Sequence, residues 1–196
     1  MISEQTKVNT PDRLLLIVLG LSLLANIGQY VLRLRARQAV LPYTVNRYER
    51  NLLPQPGATL ASLHLLNADG SKTELQFGSN ELPTIVYVLS PTCKWCQRNL
   101  QMIDALVTQL HGRYRVIGIS NTPIGLQDYI HKISPPFPIY YPDPNYTNAT
   151  ITTDITPRTL LFSSSGSFIQ GWNGAYINQT KSDIAMFFKV SLPNDK

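Results

Sequence analysis

The sequence predicts an α/β domain: a three-layer sandwich with helices on both faces of a central mixed sheet, preceded by an N-terminal transmembrane helix. Three observations carry this. Residues 84–90 and 114–120 are short, continuous, apolar runs of the kind that suits a strand buried on both faces. An amphipathic helical stretch lies between them, so strand, helix and strand form a parallel crossover unit. Leu14–Leu32, a run of nineteen, contains no charged residue.

The charge-free run reads LLLIVLGLSLLANIGQYVL and follows a short tail, residues 1–13, in which Pro11 and Asp12 mark a helix start. At about 1.5 Å per residue it covers a hydrocarbon layer of roughly 30 Å. A cleaved leader would have a shorter apolar region and a small-residue cleavage site, and LRLRARQ follows instead. The expectation is a retained single-pass anchor. Residues 33–56 follow as a basic connector ending in Pro54-Gln55-Pro56, an extended stalk.

The folded domain is expected over residues 57–192. Leu60–Leu66 and Thr73–Phe77 flank Asn67-Ala68-Asp69-Gly70 and read as a hairpin. The first buried strand is Thr84–Ser90. Leu100, Ile103, Val107 and Leu110 then make one apolar helix face, stopped at Gly112. The second buried strand, Tyr114–Ser120, is followed by a short helix at 123–133 with Leu126, Ile130 and Ile133 as its apolar positions. Residues 135–157 are rich in Pro, Tyr, Asn and Thr and read as a surface connection with a short strand at Pro138–Tyr141. Arg158–Ser163 and Ser167–Trp172 form a second hairpin. Thr180–Val190 closes the domain as a helix with Ile184, Phe187 and Phe188 inward.

Composition narrows the function classes. A chain of 196 residues with 43% hydrophobic and 15% charged residues holds one folded domain with an appendage. The net charge of +5 is concentrated at Arg33, Arg35, Arg37, Arg47 and Arg50, after the apolar run. That placement suits a membrane flank. No nucleic-acid-binding motif accompanies it, and no nucleic-acid partner is expected. Two cysteines are too few for a disulfide scaffold, and His64, His111 and His131 are scattered, so neither metal nor cofactor is expected.

The chemistry resides in Ser90-Pro91-Thr92-Cys93-Lys94-Trp95-Cys96, between a buried strand and an amphipathic helix. Thr92 is placed to cap that helix, leaving Cys93 in its first turn. Backbone N–H groups and the helix dipole there favour a thiolate, the attacking form. Cys93 is therefore the expected nucleophile. Cys96, one turn on and facing inward, would attack the mixed disulfide and release the partner. Lys94 adds a positive charge. Trp95 serves either as an exposed contact for a partner or as core packing.

These residues resemble the thioredoxin superfamily, and more closely its membrane-anchored redoxins related to TlpA and ResA; the Ser90-Pro91-Thr92-Cys93 form is also similar to MauD-type accessory proteins. The resemblance covers roughly residues 54–190. It rests on the hairpin with Asp69-Gly70, on Cys93 and Cys96, and on Thr156-Pro157 before a strand. It implies a thioredoxin-like fold, with Pro157 in cis opposite the cysteines and the Thr156 backbone pairing with a bound partner. It also implies protein thiols and disulfides as substrates and a redox partner protein. The sequence departs from the family at three places. Thr92 replaces the tryptophan of thioredoxins, Tyr87 stands at their buried acid, and Asn99 stands at the glutamate of the ResA-like branch. Asp104, two turns further along the helix, is a poor substitute for either carboxylate.

Orientation is drawn two ways. Three arginines after the apolar run, against Lys7 and Arg13 before it, would place the domain in the cytoplasm by the positive-inside rule. The resemblance implies an extracytoplasmic domain, and that is the expectation adopted. Two other function classes are weighed. A peroxiredoxin-type peroxidase needs a Pro-x-x-x-Thr-x-x-Cys frame, whereas Pro91, Thr92 and Cys93 are adjacent. A non-enzymatic anchored assembly factor would keep its function without the cysteines.

Overall fold

The computed structural model describes residues 10–38, 53–78, 82–146 and 150–194. The chain divides into two compact units, Met1–Val45 and Asn46–Lys196.

The first unit holds helix α1, Thr10–Gln38, of 29 residues, which contains the whole charge-free run. Helix therefore extends into both the expected tail and the expected connector. Its described apolar side chains, among them Leu16, Leu19 and Leu23, are exposed. Among the described residues no helix is long and apolar enough to cross a membrane. The expected transmembrane segment at 14–32 is thus observed as helix and is not confirmed as a span. Most of the stalk, residues 39–52, lies outside the described residues.

The second unit is built on seven strands: β1 Ser62–Leu66, β2 Lys72–Gln76, β3 Thr84–Leu89, β4 Arg115–Ser120, β5 Ile139–Pro142, β6 Arg158–Phe162 and β7 Phe168–Asn173. Their order is β2-β1-β5-β4-β3-β6-β7. β3 and β4 pair in parallel, as do β4 and β5. The two hairpins pair antiparallel at the edges. β3 lies inside the sheet between β4 and β6, and all six of its residues are buried, as a continuous apolar run predicts. The short strand expected near 138–141 occupies a pivotal position. It pairs with β4 on one side and β1 on the other, and so joins the N-terminal hairpin to the rest of the sheet.

The helices are α2 Lys94–Arg98, α3 Leu100–Leu110, α4 Leu126–Ile133 and α5 Asn178–Phe188. Alternation along β3 separates two cores. Ile85, Tyr87 and Leu89 meet Met102, Ile103, Leu106 and Leu110 of α3, Leu126 and Tyr129 of α4, and Ile184 and Phe188 of α5. Val86 and Val88 face the other way, among Leu63, Leu65, Ile119, Ile151 and Leu160. Among the described residues no helical side chain joins that second cluster. The expected second helical layer is therefore absent from these residues. The connection after β5 is dense in Asn, Thr and Pro, which have little helix propensity; its described residues form no helix, and Ile151 joins this cluster.

In α4 Tyr129 joins Leu126 as a buried residue, with Ile130 and Ile133 partly buried against the same core. One inward assignment changes. Phe187 is 43% exposed, its ring edge against Trp172 at 5.1 Å. Phe188 takes the core position beneath it.

Candidate active site

The site forms where β3 ends and the chain turns into α2. The Cys93 N–H donates to the Ser90 carbonyl at 3.1 Å, closing the turn. Cys93 has extended backbone angles and is itself the residue that caps α2: its Sγ accepts the N–H of Cys96 at 3.1 Å. This corrects the expectation for Thr92, whose hydroxyl bonds the Ser90 hydroxyl at 3.2 Å. The helix begins one residue later than a Thr92 cap requires, and the sulfur takes the acceptor place that a cap oxygen usually fills. A backbone donor aimed directly at the sulfur favours negative charge there.

The other expected site residues fall around this sulfur. Lys94 is the first residue of α2 and is exposed. Trp95 is 49% exposed, with the Arg98 guanidinium 5.0 Å from its ring centre. That excludes the core-packing reading of Trp95. Cys96 has no exposed surface. Both cysteines are free thiols. Across the sheet, the Thr156–Pro157 bond is cis. The Cys93 thiol donates to the Thr156 carbonyl at 3.7 Å over a sequence separation of 63. Pro157 is buried behind it. Cys93, Cys96, Thr156 and Pro157 are thus brought together.

Burial pushes the Cys96 thiol up from 9.0 to about 12, and its hydrogen bond with Cys93 adds to this. Hydrogen bonds from the Ser90 backbone and the Thr156 side chain act in the opposite sense. Cys96 is thus a thiol at neutral pH.

Tyr87 and Asn99, where the sequence departs from the proteins it resembles, are joined to each other. Asn99, the hinge residue between α2 and α3, is 2% exposed. Its Nδ2 donates to the Tyr87 hydroxyl at 3.1 Å. Its Oδ1 accepts the Tyr176 N–H at 2.7 Å. The Tyr176 hydroxyl is in turn 2.7 Å from the Thr159 hydroxyl. An uncharged, hydrogen-bonded network thus fills the space behind Cys96. Asp104 is exposed on α3. Among the described residues, no three His, Cys, Asp or Glu side chains converge as metal ligands.

Sequence reasoning missed Tyr176, Tyr129 and Arg158. Arg158 follows the cis proline and is fully buried. Its Nε donates to the Asn173 side chain at 2.8 Å. Its Nη1 donates to the Thr152 carbonyl and hydroxyl at 3.1 and 2.9 Å. It ties the loop carrying Thr156 to β7. The available signal was a lone cation opening an otherwise apolar strand.

No family model matches the chain, and no curated protein matches it. Solved structures do. A protein from Bacteroides thetaiotaomicron, provisionally assigned as a protein disulfide isomerase, is 12% identical; the match covers 69% of this chain and 89% of that one with a TM-score of 0.56. The peroxidoxin BcpB of Mycobacterium tuberculosis is 12% identical over 70% of this chain and 97% of its own, with a TM-score of 0.53. A thiol:disulfide interchange protein of the thioredoxin family from Chlorobium tepidum is 15% identical over 68% of this chain and 94% of its own, with a TM-score of 0.50. At such identities the likeness speaks for the fold, and the fold is thioredoxin-like.

Proposed function

We propose that this domain is a thiol–disulfide oxidoreductase acting on protein thiols and disulfides, with Cys93 attacking and Cys96 resolving. The observation that carries the reading is the asymmetry of the pair. The Cys93 sulfur is partly exposed at the N-terminus of α2 and accepts a backbone N–H, while Cys96 is sealed beneath it. An incoming disulfide reaches only Cys93. The partner's sulfur then leaves when Cys96 attacks from within. The Thr156 carbonyl, 3.7 Å from the Cys93 sulfur, offers a backbone acceptor beside the reacting bond. Trp95 and Lys94 border the approach.

Equilibrating the protein against glutathione buffers is expected to show one reversible two-electron transition. A potential near about −270 mV would mark a reductant, and one near about −120 mV an oxidant. The reading fails if the two cysteines never form a reversible disulfide. Rapid peroxide consumption would favour the peroxidase reading instead.

The same reading includes a tether: residues 14–32 hold the domain at a membrane, on its extracytoplasmic side. Its support is the charge-free run of the sequence, which the helix Thr10–Gln38 encloses. The full chain is expected to stay in the membrane fraction after carbonate washing, with Cys93 labelled by an impermeant maleimide on intact cells. Release by carbonate removes the anchor. Labelling only after lysis reverses the orientation.

A further inference from the structure

Tyr129 lies on α4, which the exchange chemistry above does not use. Its side chain is 7% exposed. Its hydroxyl has no hydrogen-bond partner among the described residues. Buried polar groups are almost always paired, because an unpaired one forfeits its solvation without return. The ring belongs to the same core cluster as Cys96, with Cys93 packed against that cluster.

The surroundings narrow what this hydroxyl can do. Tyr87 of β3 is the other phenol facing Cys96, and its oxygen is occupied by Asn99. Tyr176 is occupied by Thr159. Lys94 of α2, Asp104 of α3, and Asp128 and His131 of α4 are all exposed. Burial, reinforced by Cys96 and then Cys93, pushes the Tyr129 phenol up to about 12, so it keeps its proton and remains a donor. The core that encloses Cys96 thus also holds a buried donor without a partner among the described residues.

We propose that Tyr129 is a positioning residue for the resolving step, its hydroxyl donating a hydrogen bond to the Cys96 thiolate as that thiolate forms. The inference rests on the exchange reading above. In that step Cys96 loses its proton, and its thiolate attacks the Cys93 sulfur of the mixed disulfide. The Cys93–Cys96 bond forms and the bond from Cys93 to the partner sulfur breaks. The partner leaves with the electron pair and takes up the proton. Tyr129 keeps its own proton throughout. With no carboxylate at Tyr87 or Asn99, this hydroxyl does by hydrogen bonding part of what a charged base does elsewhere. The bond is not made in the dithiol form, so the hydroxyl and the Cys96 sulfur must draw together as the thiolate forms.

The test loads the reduced full chain with dithiobis-nitrobenzoate and follows two phases of thionitrobenzoate release. The first reports attack by Cys93 and the second resolution by Cys96. Tyr129→Phe is expected to leave the first phase unchanged and to slow the second about tenfold, the scale of one hydrogen bond to a charged group. The pH profile of the second phase should move upward. Folding stability should be unchanged or higher, since the variant removes an unpaired hydroxyl. Fluorotyrosine at 129, a stronger donor, should move the same profile downward, which a purely structural role would not do. A second phase with unaltered rate and pH profile in Tyr129→Phe overturns the inference and leaves the exchange reading standing. Absence of the first phase in the parent protein overturns both.

Discussion

Cys96→Ser is expected to turn the protein into a trap that holds its partner as a stable mixed disulfide. Cys93 keeps its exposure and its N–H bond in this variant, because the bond comes from the backbone of residue 96 and not from its side chain. The first attack therefore survives. Resolution loses its nucleophile, and the mixed disulfide should persist at least about a thousandfold longer than in the parent. Cys93→Ser should do the opposite. Serine is among the preferred helix-capping residues, so the turn into α2 should still form. The remaining thiol, with no exposed surface, cannot be reached by a disulfide of protein size. Exchange should fall by about a thousandfold or more. Non-reducing electrophoresis and mass spectrometry after incubation with a disulfide-bonded substrate read both outcomes. A Cys93→Ser protein that still forms mixed disulfides would reverse the assignment of the two sulfurs.

Gly166→Ala is expected to give the largest loss of stability from a single methyl group. Gly166 sits in the turn between β6 and β7 with φ at +84°. That conformation alone costs an L residue roughly 1–2 kcal/mol. Gly70, in the first hairpin, has the same φ, and an added Cβ there would meet only the Tyr141 hydroxyl at 3.9 Å. Its cost should stop at about that figure. At Gly166 the added Cβ would stand 2.1 Å from the Leu60 carbonyl oxygen and 2.9 Å from the Phe77 Cβ. The Leu60 segment cannot retreat freely, because its N–H is bonded to the Gly166 carbonyl at 2.9 Å. Gly166→Ala should thus lose that bond as well and cost roughly 3 kcal/mol or more, about 10 °C in melting temperature for a domain of this size. Thermal melts of the two variants side by side make the comparison. Equal losses would show that backbone conformation, and not the approach of Leu60, sets the cost.

The legible parts of the fold were those encoded by neighbouring residues. β3 and β4 are continuous apolar runs, and both hairpins carry a glycine at a turn with positive φ, so local pattern sufficed. The cysteine pair was legible for the same reason, since strand, turn and helix succeed one another within a few residues. The capping error at Thr92 was also local. Threonine is a sound cap by type, and nothing in the sequence says that the sulfur one residue later will take the N–H.

The rest depended on partners far apart in sequence. A four-residue strand at Ile139–Pro142 is weak by itself, and it becomes the joint of the sheet only because both β1 and β4 offer it hydrogen bonds. Tyr129, a polar residue by type, is buried in α4 because it joins a core that also contains Cys96 and Tyr87. Asn99 reads as a missing acid, and across 77 positions it accepts the N–H of Tyr176. Short-range pattern therefore decided which segments are strands and helices, and which cysteine stands at a helix start. Only long-range packing decided which hydroxyls surround Cys96 and which face of the sheet lacks a helix among the described residues. Periodicity records which side of an element is apolar, and not what that side will meet.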